Sequence, residues 1–169
     1  MASELPSVSG YYVGVLFQSS LSFSDLEFLH VRYWLRAPTG EEWVVQSIIG
    51  INQGALGVVP WSDPTPADIK ASASSFALSL PKITSYLFNP ASVRTAYVVG
   101  GASVATWKAG GQTLVLATNT NYVDQTVSWK ALNLGGVGVA TAFVSGVAET
   151  TSDGFTLGPV GSAAFVVAS

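Results

Sequence analysis

The chain has 169 residues, 49% of them hydrophobic and 10% charged, with a formal net charge of -3 and no cysteine. That much apolar material supports one ordinary core or two small ones and excludes a disordered chain, while the acidic balance lacks the basic footprint of a nucleic-acid binder. Without cysteine there is no disulfide, thiolate metal site or cysteine nucleophile.

The N-terminal stretch MASELPSVSGYYVGVLFQSS has no basic leader region, and its apolar run is broken by Gly and Gln, so it does not read as a signal peptide. No window holds the roughly 18 uninterrupted apolar residues of a membrane span, and no membrane partner is expected. YYVGVLF and LEFLHVRYWL are each compatible with a strand, with SSLSFSDLEF between them as a loop or a single helical turn. His30 is the single histidine. A metal site needs several ligands together, and a serine triad needs a nucleophile in a recognisable setting, so His30 reads as a partly buried structural residue. Arg32 and Arg36 flank Trp34, and a solvated strand edge accounts for them better than stacking does.

From residue 38 the punctuation is helical. In PTGEEW, Thr39 can accept from the N-terminal turn while Glu42 reaches back, the pattern of a capping box, and Glu41 and Glu42 both suit the positive end of the helix dipole. Both acids therefore read as cap chemistry rather than a catalytic pair. Val44, Ile48, Ile51 and Ala55 recur at helical spacing with Val45 and Ile49 beside them, so the buried stripe is wide. GALGVVPW ends that helix at Gly54 and gives a run too short for a helix, read as a buried strand closing near Pro60 and Trp61. DPTPADI then starts a second helix, with Thr65 as cap, Pro66 in the first turn and Asp68 in the third position. Its apolar face is Ile69, Ala73, Phe76, Ala77 and Leu80 up to Pro81, where a kink or restart is expected before Ile83 and Leu87.

From Val93 the period falls to two. VRTAYVV, SVATWKA, QTLVLATN, QTVSWKAL, VGVATAFV, GFTLG and SAAFVVA are short, rich in Val, Thr and aromatics, and separated by Gly- and Asn-rich turns. Segments spaced this evenly predict an antiparallel β-sandwich of about seven to eight strands. GGVGVA reads as a turn between strands rather than a phosphate loop. The fold class expected is α+β, with a partial barrel-like α/β segment over residues 1–90 and a β-sandwich over 91–169, the boundary falling at FNPAS, where Pro90 stops the helix.

Helix, short strand ending in Pro-Trp, then helix: in APTGEEWVVQSIIGINQGALGVVPWSDPTPADI this resembles the last part of the (β/α)8 catalytic barrel of fungal and bacterial glycoside hydrolases, with an E-x-x-x-Q helix and a G-A-x-G strand before a tryptophan. The following TWKAGGQTLVLATNTNYVDQTVSW resembles the β-sandwich such enzymes carry behind the barrel. The resemblance covers roughly residues 38–169. It implies hydrolysis of a glycosidic bond by two carboxylates in the intact enzyme. In such families those acids usually lie on earlier barrel strands that this chain lacks, so the catalytic residues are not identified and no glycosidase activity is expected of the chain alone. Trp61 matches the tryptophan that forms the floor of a sugar subsite, and Asp63 follows at the same rim. The resemblance also implies an extracellular location and a carbohydrate partner. A barrel piece with uncovered faces is expected to self-associate. No cofactor or metal is implied.

Flat aromatic faces hold the C–H surfaces of sugars, and Tyr and Trp add a polar handle. Trp107 and Trp129 read as strand residues turned inward. Tyr122, in the polar loop with Asn119, Asn121 and Asp124, is the surface candidate, and it motivates a second reading of the chain as a non-catalytic, lectin-like binder.

Overall fold

A computed structural model of the chain describes residues 13–15, 38–60, 66–146 and 148–168. Helix α1 spans Gly40–Asn52 and opens with the expected capping box: the Glu42 N–H donates to Thr39 Oγ1 at 3.2 Å and the Thr39 N–H to Glu42 Oε2 at 2.8 Å. Its buried stripe is Val44, Val45, Ile48 and Ile51. The helix stops at Gln53 because Gly54 turns left-handed at φ 104°, and the Ala55 N–H then folds back onto the Gly50 carbonyl at 2.9 Å.

Strand β1, Val13–Val15, pairs antiparallel with β2, Val58–Pro60. The expectation that GALGVVPW forms a buried strand is not met, since Leu56 is 59% and Val59 55% exposed. Among the described residues β1 is the one strand neighbouring β2, and none of them covers its other edge. The antiparallel pairing also differs from the parallel ladder of a barrel.

Helix α2, Ala67–Leu87, begins one residue later than expected, with Pro66 as its cap residue; Thr65, the expected cap, lies outside the described residues. Pro81 does not break α2. It is exposed, on the solvent side of the helix, where water can satisfy the carbonyl one turn back that its missing N–H leaves unpaired. The buried positions are Ile69, Phe76, Ser79 and Ile83, spaced seven, three and four apart, while Ala77 faces out. Asp68 acts across the pair of helices, its Oδ2 accepting the Gly40 N–H at 3.0 Å.

The two helices touch where only glycine fits. A Cβ on Gly40 would lie 2.2 Å from Ser72 Oγ and 2.5 Å from the Asp68 carbonyl oxygen. Gly40→Ala is therefore expected to destabilise the protein by about 1–3 kcal/mol, the usual cost of overpacking a close contact. Urea unfolding checks this; an unchanged midpoint would mean that the helices separate freely here.

From Val93 on the described chain is strands: β3 (Val93–Val99), β4 (Ala102–Ala109), β5 (Gln112–Asn119), β6 (Gln125–Ser128), β7 (Ala140–Ser145), β8 (Ala148–Thr150), β9 (Gly154–Leu157) and β10 (Ser162–Ala168). All seven expected segments contain a strand, and β8 is an addition. They form a five-stranded antiparallel sheet in the order β3-β4-β5-β10-β7 and a three-stranded one in the order β6-β9-β8. The segment expected as one long strand through QTVSWKAL stops at Ser128, whose Oγ accepts the Ala131 N–H at 3.2 Å and starts a 3-10 turn over Trp129–Leu132.

The central strands of the larger sheet, β4, β5 and β10, are buried on both faces. On β5, Val115 and Ala117 join a core with Val127, Trp129, Phe155 and Leu157 of the smaller sheet and its turn, while Leu114 and Leu116 point the other way onto Val44, Ile48 and Ile51 of α1 and Phe76 and Ile83 of α2. Two covered faces explain why β5 reads TLVLA without polar alternation. The second core thus draws on residues from both sides of Pro90. Phe76 of α2 meets Phe143 of β7 edge-on, with ring centroids 5.1 Å apart. No helix among the described residues is long and apolar enough to cross a membrane.

Candidate functional site

Residues 120–124 leave β5 at the end of the sheet nearest the start of α1. Their shape is set by Asn119, the last residue of β5, which is fully buried. Its Nδ2 donates to the carbonyls of Val123 at 2.7 Å, Gly158 at 2.9 Å and Leu157 at 3.3 Å, and its Oδ1 accepts the Asn121 N–H at 2.9 Å. One amide therefore ties the 120–124 loop to the turn between β9 and β10. The sequence pattern places Asn119 in the polar loop with Tyr122, whereas it is the last residue of the strand. Its side chain is spent on the protein's own backbone.

The facing turn, residues 158–161, is strained. Val160 sits at φ 53°, a region that a β-branched residue rarely adopts, and its N–H donates to the Asn121 carbonyl at 3.0 Å. Such a conformation costs on the order of 1–3 kcal/mol and persists only where the surroundings over-determine it. Here the surroundings are the Asn119 network, together with the Asn119 N–H donating to the Gly161 carbonyl at 2.8 Å and a Thr118–Ser162 hydroxyl pair at 2.8 Å.

On this rigid base Tyr122 stands 70% exposed, with Val123 beside it at 62%. The Tyr122 hydroxyl donates to Glu42 Oε1 at 3.0 Å. The same carboxylate caps α1 through its other oxygen, so one acidic side chain joins the helix start to the loop. Sequence reading gave Glu42 only the capping role, and nothing in the local pattern relates it to a tyrosine eighty residues on. Glu41 lies next to it, approaching the turn at Gly146. Asn121 and Asp124 are exposed on the same loop. The arrangement offers an aromatic face held at one edge by a carboxylate, with amide and carboxylate groups close by in sequence.

The remaining expected site residues separate from this one. Trp61 and Asp63 lie outside the described residues, as do His30, Arg32, Trp34 and Arg36. Trp107 and Trp129 are buried at 5% and 1% exposure, Trp107 against the helices and Trp129 between the sheets, where its Nε1–H donates to the Thr151 carbonyl at 3.1 Å. Both are core, as their inward reading expected. Among the described residues no group of three or more His, Asp or Glu side chains could hold a metal ion. No protein-family model, curated protein or solved structure matches the chain.

Proposed function

We propose that the chain is the C-terminal portion of a carbohydrate-active enzyme, a glycoside hydrolase, in which α1, β2 and α2 belong to the end of a catalytic barrel and the two packed sheets are its accessory β-sandwich. The observation that carries this reading is the core shared by both helices and the five-stranded sheet. Two helices packed directly on the outer face of the larger sheet are what a barrel end resting on its accessory module would present. In the parent enzyme Trp61 and Asp63 would line a sugar subsite, and the catalytic carboxylates would come from outside this segment. The chain alone is therefore expected to give no turnover of aryl glycosides or β-glucans. Turnover that survives Trp61→Ala would overturn both the assignment of the segment and the role of Trp61.

A second reading, non-catalytic glycan binding at Tyr122, is favoured by one specific observation: an exposed aromatic ring on a loop whose backbone is held at both ends by Asn119. A glycan array is expected to show saturable binding that Tyr122→Ala abolishes. The substitution removes one exposed hydrogen bond, so stability should fall by no more than about 1 kcal/mol. A blank array leaves the sheets as a purely structural support of the barrel and removes the lectin-like reading. Both readings carry the extracellular location with them, which secretion of a longer natural chain would test.

A further inference from the structure

Among the described residues four strand edges border the two sheets, and three of them are protected in familiar ways. The pairing of β7 with β10 shifts register between Ala164 and Phe165, which disrupts the regular ladder. Strands β6 and β8 have only four and three residues, and β8 carries Glu149. Strand β3 has none of these devices. It runs seven residues, VRTAYVV, in unbroken register with β4, contains no proline, lysine or acid, and exposes Val93 at 66% and Val98 at 83%. Its one charge, Arg94, donates through Nη1 to the Asn52 carbonyl at the end of α1 and so leans away from the open edge. A long, regular, nearly uncharged edge is a template for another strand.

We propose that β3 pairs antiparallel with β3 of a second copy of this chain, about a two-fold axis at Ala96, joining the five-stranded sheets into one of ten strands. The residue pattern selects the occupant. A two-fold axis through the middle residue uses every position of both strands, and antiparallel hydrogen bonding is satisfied by any residue-centred axis. It sets Ala96 against Ala96, Thr95 against Tyr97, Arg94 against Val98 and Val93 against Val99. No like charges oppose. The Thr–Tyr pair is of the β-branched and aromatic kind that favours pairing. The inference does not depend on the glycosidase reading, and an edge of this size supports a weak, concentration-dependent dimer.

The absence of cysteine provides a direct test on the full chain. In Ala96→Cys the two new thiols would face each other across the axis, with Cα atoms about 4.5–5.5 Å apart, within disulfide reach. In Val93→Cys they would be six residues apart along the pair, roughly 20 Å. Mild oxidation is expected to cross-link Ala96→Cys into a covalent dimer at least about ten-fold faster than Val93→Cys, and sedimentation velocity of the unmodified chain should show a dimer that Val98→Lys weakens by roughly ten-fold or more. Ala96 and Val98 are both exposed, so these variants keep the fold, which circular dichroism checks. A strictly monomeric chain at high micromolar concentration, equal cross-linking of the two cysteine variants, or a dimer indifferent to Val98→Lys would each overturn the proposal; the last would place self-association on another surface.

Discussion

Trp129→Ala is expected to lower stability by about 3–5 kcal/mol, the range for deleting a large aromatic side chain from a packed core. Trp129 is 1% exposed and sits between the two sheets, its ring centroid 5.0 Å from that of Phe155 and 5.6 Å from that of Phe165, while those two rings are 4.9 Å from each other. Removing one member opens a cavity that the other two cannot fill, because each is anchored on a different strand. The indole also satisfies the Thr151 carbonyl. A chain of this length loses roughly 2–4 °C of Tm per kcal/mol, so the variant should melt about 10 °C lower. Trp129→Phe separates the parts: it restores much of the ring volume, loses the hydrogen bond and should recover most but not all of the difference. A Trp129→Ala variant with native Tm would mean that the sheets do not share this core in solution.

Asn119→Leu should be nearly as costly, about 3 kcal/mol or more, for a different reason. The two side chains are close in size, so no large cavity forms. What is lost is one amide serving four backbone groups, and a buried polar group left without its partner costs about 1–3 kcal/mol. Three carbonyls and one N–H lose their side-chain partner at once. The strain at Val160 then has less to hold it, and the 158–161 turn should relax. Hydrogen exchange reads this directly: the Asn121 and Val160 amides should lose protection well before those of β5. Protection that stays unchanged at both amides would show that the loop is held from elsewhere.

Local signals were legible in the sequence. The capping box at Thr39 and Glu42 depends on residues three apart, and the strands from Val93 onward announce themselves by period and turn residues, so both could be read without knowing what lies across the molecule. The extended reading of Trp129 failed because the Ser128 hydroxyl offers the backbone a tighter turn, a competition that a Thr- and Val-rich stretch conceals. Burial of β2 was inferred from its apolar residues alone, whereas burial depends on what packs over them. The candidate site was legible only as an aromatic in a polar loop. Its supports, Glu42 from a helix eighty residues earlier and the turn at Val160, come from distant parts of the chain. Asn119 looked like a surface residue because a polar side chain at a strand end usually is one.

Strand β10 follows every other described strand in sequence, yet it lies inside the larger sheet, paired with β5 on one side and β7 on the other. During synthesis, β3, β4 and β5 can form their meander as they emerge, but until residues 162–168 clear the ribosome β5 and β7 each present an open apolar edge. Completion of this sheet is therefore a late event that joins residues far apart in the chain, and such pairings form slowly. The nascent protein passes through an interval in which its stickiest surfaces are exposed to neighbouring chains, and a stop codon only a few residues before β10 would make that interval permanent.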